Sequence, residues 1–225
     1  MGASVCATKS RYFSASEIFS GLTKDQLALV SESASLRTCM AGTVFYTPGQ
    51  TGQVLFILKR GTVEIYQMGV DGRKLVTAVL QPVTMFGEMS ILGQGMYDSF
   101  AEATSDAVIC AMSRADVERH LLSNPDVVLR ILKSVGDRVI KLERTLDEIA
   151  FHPLAARLAR LLLQEASPEG TIEGLTHQAL AERLGVYRES VSVAIGELRT
   201  ARIVDVTRKR VVITDRIALE RVAAQ

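Results

Sequence analysis

Apolar residues recur along this chain with two different periods, and the switch between them divides it. From about Leu36 to Met112 the runs are short and alternating, with glycines between them; VLFILKRGTVEIYQMGVDGRKLVTAVL is the clearest stretch. An apolar residue at every second position marks a strand with one buried face. Lys59–Arg60–Gly61 and Val70–Asp71–Gly72 are its two hairpin signals. Short strands with regular turns predict a β-barrel or roll, and the glycines gather where turns need positive φ. Residues 1–20 are polar apart from a Phe13–Phe19 patch and predict a loose lead-in, followed by a short helix over Thr23–Ala34.

After Ser113 the period becomes helical. Asn124 and Pro125 supply a cap and a first helical residue, and the helix is expected to continue to about Ala150. Its apolar positions are Val128, Leu132, Val135, Val139, Leu142, Leu146 and Ile149, separated by gaps of four and three in turn. A helix packed only on its own domain shows a broader, less regular stripe. A strict heptad seam predicts a two-stranded coiled coil, hence a homodimer. His152–Pro153 ends the helix and is expected to act as a hinge.

The segment LTHQALAERLGVYRESVSVAIGEL, Leu175–Leu198, predicts two short helices joined by a tight turn. Thr176 is the expected cap of the first helix, with Ala179, Leu180 and Leu184 on its inner face. Gly185 falls where the chain must turn. The second helix, from about Tyr187, buries Val191, Ile195 and Leu198. It leaves Tyr187, Arg188, Glu189, Ser192 and Val193 on or near the other side, a set suited to base edges in a major groove. Such hairpins also occur as plain packing units in all-α domains. The residues immediately C-terminal to the motif favour DNA: IVDVTRKRVVI predicts two strands around a charged turn, the hairpin of a winged helix. Arg199–Arg216 holds Arg199, Arg202, Arg208, Lys209, Arg210 and Arg216 against only Asp205 and Asp215, a local positive charge fit for phosphates.

Composition narrows the field further. With 225 residues, 48% of them hydrophobic, the chain is long enough for two ordinary cores. A net charge of +1 is uninformative, because basic residues can be gathered on one surface. The absence of Trp argues against an aromatic-caged site. Cys6, Cys39 and Cys110 are odd in number and far apart, which gives no disulfide framework and no zinc or iron–sulfur motif. With no membrane-length apolar run and no signal-peptide core, a cytoplasmic protein is expected. The expected class is α+β: a lead-in over 1–20, a β-roll effector domain over 21–123, a dimerisation helix over 124–150 and a winged helix-turn-helix over 151–225.

The chain as a whole resembles the Crp/Fnr family, that of the cyclic AMP receptor protein and the fumarate–nitrate reduction regulator, from about Ile18 to Leu219. Phe86–Gly87–Glu88–Met89–Ser90–Ile91–Leu92, the long helix ending in Ala150–Phe151, and Gly185–Val186–Tyr187–Arg188–Glu189–Ser190–Val191 carry the likeness. The resemblance implies a cyclic-nucleotide-binding-like roll that regulates a dimeric transcription factor. In cyclic-AMP-binding members an Arg-Ser pair grips the phosphate and a Glu holds a ribose hydroxyl. Here Gly87, Glu88 and Ser99 look like counterparts, but Asp98 stands at the Arg position. A carboxylate there turns attraction into repulsion at contact distance. Leu142 and Glu143 stand where a Thr-Ser pair meets the adenine. Cyclic AMP is therefore not the expected effector. His120, His152 and His177 lie outside the roll and supply no haem ligand. Cys39, beside polar and basic residues, is the better redox candidate, while Cys110 among apolar neighbours reads as an inert hydrophobe.

The resemblance suggests Arg188 and Glu189 as base readers, Arg188 on guanine and Glu189 on cytosine N4; Glu189 orienting Arg188 is an equal alternative. Ser192 is expected to reach a base or phosphate, and Val193 a thymine methyl. Thr176, His177 and Gln178 are expected at phosphates through the first helix's N-terminus, with Tyr187, Arg208, Lys209 and Arg210 as further backbone contacts. The expected partners are a near-palindromic duplex, a second copy and RNA polymerase. The alternative is a cyclic-nucleotide-binding regulatory protein acting on a protein partner. An enzyme is not expected, since no nucleophile–base pair, metal-ligand set or phosphate-binding loop is present.

Overall fold

The computed structural model describes residues 19, 22–50, 54–87, 99–122, 124–207 and 210–225. Residues 1–18 and 20 of the lead-in, Cys6 among them, and Glu88, Asp98, Arg208 and Lys209 lie outside them; Phe19, expected in a loose lead-in, is instead fully buried in the core of the first unit. The chain divides into two compact units: Met1–Gln67 with Thr77–Val139, and Met68–Val76 with Ile140–Gln225.

The first unit is the roll. Helix α1 (Lys24–Ser33) opens with a reciprocal capping box between Thr23 and Gln26. Eight strands come after it among the described residues: β1 (Ser35–Cys39), β2 (Val44–Tyr46), β3 (Val54–Arg60), β4 (Val63–Met68), β5 (Lys74–Leu80), β6 (Met85–Phe86), β7 (Phe100–Ala103) and β8 (Ala107–Ser113). They form two four-stranded sheets, ordered β1-β8-β3-β6 and β2-β7-β4-β5. All the registered pairs are antiparallel.

The β3 sequence Val-Leu-Phe-Ile-Leu is apolar at every position because its sheet is covered on both faces. Leu58 joins Val63, Phe86 and Ile109 in one core, with Phe56 packed against it. Leu55 and Ile57, on the other face, join Leu27 and Val30 of α1, Val117 of α2 (Arg114–His120), and Val127 and Ile131 of the long helix α3 (Pro125–Phe151). The Phe56 and Phe86 rings, opposite one another in the register, stack with centroids 5.0 Å apart, and Phe45 meets the edge of Phe86 at 5.2 Å.

One expected hairpin is corrected. Lys59–Arg60–Gly61 does not join paired strands; β3 and β4 lie in different sheets, and the chain turns a corner there. Gly61 has φ +88° and backs onto Asp106, whose carbonyl oxygen would collide with an added Cβ. Both constraints select glycine. The Val70–Asp71–Gly72 turn does join neighbouring strands, β4 and β5, with a Gly72 N–H to Gly69 carbonyl bond of 2.9 Å.

Helix α3 begins at Pro125, with the Asn124 side chain accepting from the Asp126 N–H at 3.1 Å. Val127 and Ile131 are its buried residues. The heptad positions Leu132, Val139, Leu142, Leu146 and Ile149 are instead exposed in the single chain, Leu146 by 68%. Cys110 is fully buried and Cys39 partly so. Lys59 is nearly enclosed, and desolvation draws its ammonium down to about 8, opposed by the neighbouring Cys110.

Gly61→Ala should cost on the order of 2–4 kcal/mol in urea unfolding, through left-handed strain plus a backbone clash. The lowered Lys59 value means the unfolded chain binds more protons from about pH 8 to 10.5, so this group adds stability as pH rises through that window. Lys59→Met should be the more stable protein at pH 7, with the difference from the unmodified protein shrinking toward pH 10 in urea titrations.

Candidate nucleic-acid interface

The second unit is built on α4 (Leu154–Glu165), which comes after α3 beyond the His152–Pro153 break. Its Leu158, Ala159 and Leu162 share one core with residues of α5 (His177–Leu184), α6 (Arg188–Thr200) and α7 (Arg216–Ala223). Ile172, Val204 and Val211 join the same core from the sheet. That sheet comprises β9 (Thr171–Glu173), β10 (Val204–Thr207) and β11 (Arg210–Ile213), ordered β10-β11-β9. The expected wing strands pair antiparallel, Val204 opposite Ile213 and Thr207 opposite Arg210. Strand β9 has no signal of its own in the sequence, because a three-residue run carries too little pattern.

Helix α5 starts and stops as its sequence dictates. The Thr176 hydroxyl accepts from the Ala179 N–H at 3.1 Å, and Gly185 adopts φ 66°, ψ 35°, the left-handed cap. The Val186 N–H then reaches back to the Ala181 carbonyl at 3.0 Å. Arg157 donates from α4 to the Leu184 carbonyl at the same helix end, favourable to the helix dipole. Burial there lowers the Arg157 guanidinium from its usual value. Leu180, Ala181 and Leu184 are buried, whereas Ala179 is only partly so.

Helix α6 begins one residue later than its pattern suggests. Tyr187 is its N-cap and makes no side-chain cap bond. Val191, Ala194, Ile195 and Leu198 face the core. Arg188, Glu189 and Val193 are exposed, Val193 by 63%. Glu189 lies in the first turn, where the helix dipole favours a carboxylate.

Five of the expected contact residues come together. Thr176, His177, Gln178, Arg188 and Arg210 line one open groove, with Leu175, Val206, Thr207 and Val211 as its remaining walls. Thr207 is not singled out by sequence, although the alternation of IVDVT sets it at the rim of β10. Ser192 is less free than expected. Its hydroxyl donates to the Arg188 carbonyl at 3.0 Å and stands 3.0 Å from His177 Nδ1, which lashes α5 to α6. Gln178 donates to Glu182 at 2.9 Å. Arg210 is 3.9 Å from Glu173 with both side chains exposed, a loose pair that leaves the guanidinium available.

Tyr187, expected at a phosphate, donates its hydroxyl to Asp71 at 3.2 Å. Asp71 belongs to a hairpin tip more than a hundred residues earlier in the chain, and nothing local in the sequence signals such a contact. Of the effector residues, Gly87 is buried at φ +83° and Ser99 partly buried, both in the first unit. Leu142 and Glu143 are exposed and fall in the second. Glu143 lines a shallow hollow with Arg144, Asp147, Glu148 and Arg160. Arg160 closes the α3–α4 break, donating to the Ala223 carbonyl at 2.7 Å and bonding His152 Nδ1 at 3.1 Å. Among the described residues no His, Cys, Asp and Glu group could hold a metal ion, and no helix is long and apolar enough to cross a membrane.

Arg202, just past α6, sits at φ +58° while the Ile203 N–H bonds the Leu198 carbonyl at 2.9 Å. Arg202→Gly should raise stability by about 1 kcal/mol in thermal unfolding, since glycine takes that conformation without strain.

Comparison with known proteins places these units. Residues 36–124 match the cyclic nucleotide-binding domain and residues 156–222 the Crp-like helix-turn-helix domain. A CRP-like cAMP-activated global transcriptional regulator of Mycobacterium tuberculosis is 27% identical over 212 residues, 91% of this chain and 95% of the relative. The global nitrogen regulator of Synechocystis is 26% identical, over 79% of this chain and 83% of its own. A transcriptional regulator of the crp/fnr family from Eubacterium rectale shares the fold with a TM-score of 0.80 at 20% identity, over 96% of this chain and 100% of that one.

Proposed function

The chain belongs to the Crp/Fnr family of transcription regulators, and from that premise we propose how it reads DNA. Two copies join along the heptad seam of α3, and each presents the N-terminus of α6 to one half of a near-palindromic duplex. Arg188 donates to guanine O6 and N7, Glu189 accepts from cytosine N4 or steers Arg188, and Val193 packs on a thymine methyl. Thr176, His177, Gln178 and Arg210 take phosphates along the groove, joined by Arg208 and Lys209, which come between the two wing strands in sequence. Ser192 serves by holding His177 in place. The observation that carries this reading is the groove itself, where Arg188 and Arg210 converge with the open N-terminus of α5.

Residues 21–123 are then the effector domain, 124–150 the pairing helix and 151–225 the DNA-binding domain. The seam supports pairing: five of its large apolar side chains lie in the open on one chain, where a partner helix would cover them. Asp98 and Glu143 both disfavour a cyclic phosphate and adenine, which supports an effector other than cyclic AMP. RNA polymerase is the proposed partner once DNA is bound.

Arg188→Ala should cost about 1–3 kcal/mol on a preferred duplex and erase sequence preference, whereas Arg210→Ala should weaken all duplexes alike and flatten the salt dependence in fluorescence anisotropy. Equal losses on preferred and random DNA for both variants would refute the division of roles. Leu146→Asp should sediment as a monomer where the unmodified protein sediments as a dimer. Adding cyclic AMP should leave the affinity for DNA unchanged; a rise would overturn the effector assignment.

A further inference from the structure

The tip of the β4–β5 hairpin, Met68–Val76, belongs to the same compact unit as the helix-turn-helix, and its side chains converge on one place there. Arg73 donates to the Gly185 carbonyl at 3.3 Å, and its guanidinium carbon lies 5.2 Å from the centre of the Tyr187 ring. Tyr187 donates its hydroxyl to Asp71, which also accepts from the Arg73 side chain and the Arg73 N–H. Lys74 pairs with Glu182 at 3.4 Å, both side chains largely shielded from solvent. Leu75 presses so closely on Gly185 that an added Cβ there would stand 2.9 Å from its Cδ1.

All these contacts fall on Glu182, Gly185 and Tyr187: the last turn of α5, the left-handed residue and the N-cap of α6. The phosphate-facing residues Thr176–Gln178 stand at the opposite end of α5, roughly 12 Å along its axis. No residue of the tip lines the groove. Docking here therefore leaves the reading surface open while fixing the turn that aims it. Tyr187, which makes no cap bond of its own, is held through its ring and its hydroxyl.

We propose that Asp71, Arg73 and Lys74 are positioning residues for DNA readout: they pin the turn so that Arg188 and Glu189, the next two residues, meet base edges at a fixed angle. This rests on the assignment of those two as base readers. Bidentate recognition of a base tolerates little error in the direction of approach, and a turn tethered at three residues has little freedom to wander. The hydrogen bonds from Arg73 also keep the Asp71 carboxyl below its ordinary range, so it accepts from Tyr187 at neutral pH.

The test is a charge exchange in the full-length protein: Lys74→Glu, Glu182→Lys and the two together. Amide exchange at Gly185–Val191 reports the turn. Affinity for a duplex selected by the unmodified protein from a random pool, divided by that for an unrelated duplex, reports readout. Each single change should speed exchange and lower the ratio about three- to tenfold, and the double variant should restore both. Arg73→Gln, which removes the guanidinium from the Gly185 carbonyl and the Tyr187 ring, should lower the ratio in the same way. If the single variants loosen the turn yet leave the ratio untouched, or if the double variant restores neither, the positioning role is wrong. If the unmodified protein itself prefers no duplex, it is the base-reading assignment that has failed, and the positioning role falls with it.

Discussion

The reversal of the chain at Gly185 is the constraint on which the DNA-binding unit depends. Between the last residue of α5 and the first of α6 the backbone changes direction within three residues, and the left-handed Gly185 at the helix end is what turns it here. That same reversal exposes carbonyls that the helix cannot satisfy. Arg157 takes the one at Leu184, and Arg73 takes the one at Gly185. Two cations at a helix C-terminus also oppose its dipole charge. The direction in which α6 leaves the turn is thus set by packing on one side and capping on the other.

Much of this architecture is written locally. The α5 cap, the glycine after it, the apolar faces of α5 and α6 and the two wing strands all appear where periodicity and capping chemistry put them, because each is decided within a few residues. The heptad seam of α3 is legible for the same reason. Five of its seven apolar positions are exposed on the chain and Val128 and Val135 are half-buried, while Val127 and Ile131, outside the seam, enter the roll core. One helix therefore carries two separate apolar surfaces with different destinations.

The features that periodicity does not reveal are long-range. Lys59–Arg60–Gly61 has the residues of a hairpin turn, and local chemistry cannot tell a turn between paired strands from a corner between sheets. The difference is made by Asp106, pressed against Gly61 from another turn. Tyr187 reads as a phosphate contact by its place before Arg188, yet its hydroxyl goes to Asp71. Ser192 belongs to the outer face as its spacing predicts, but its engagement with His177 needs both helices in position. In each case a partner distant in sequence decides the role.

The open stripe on α3 bears on how such a regulator answers to its own abundance. With a second copy lying along that stripe, the species that grips a duplex forms from two chains, so at scarce supply its amount climbs with the square of the quantity synthesised. Modest changes in synthesis or turnover would then produce a steep, threshold-like change in promoter occupancy, a gain control tuned by the strength of the α3 seam.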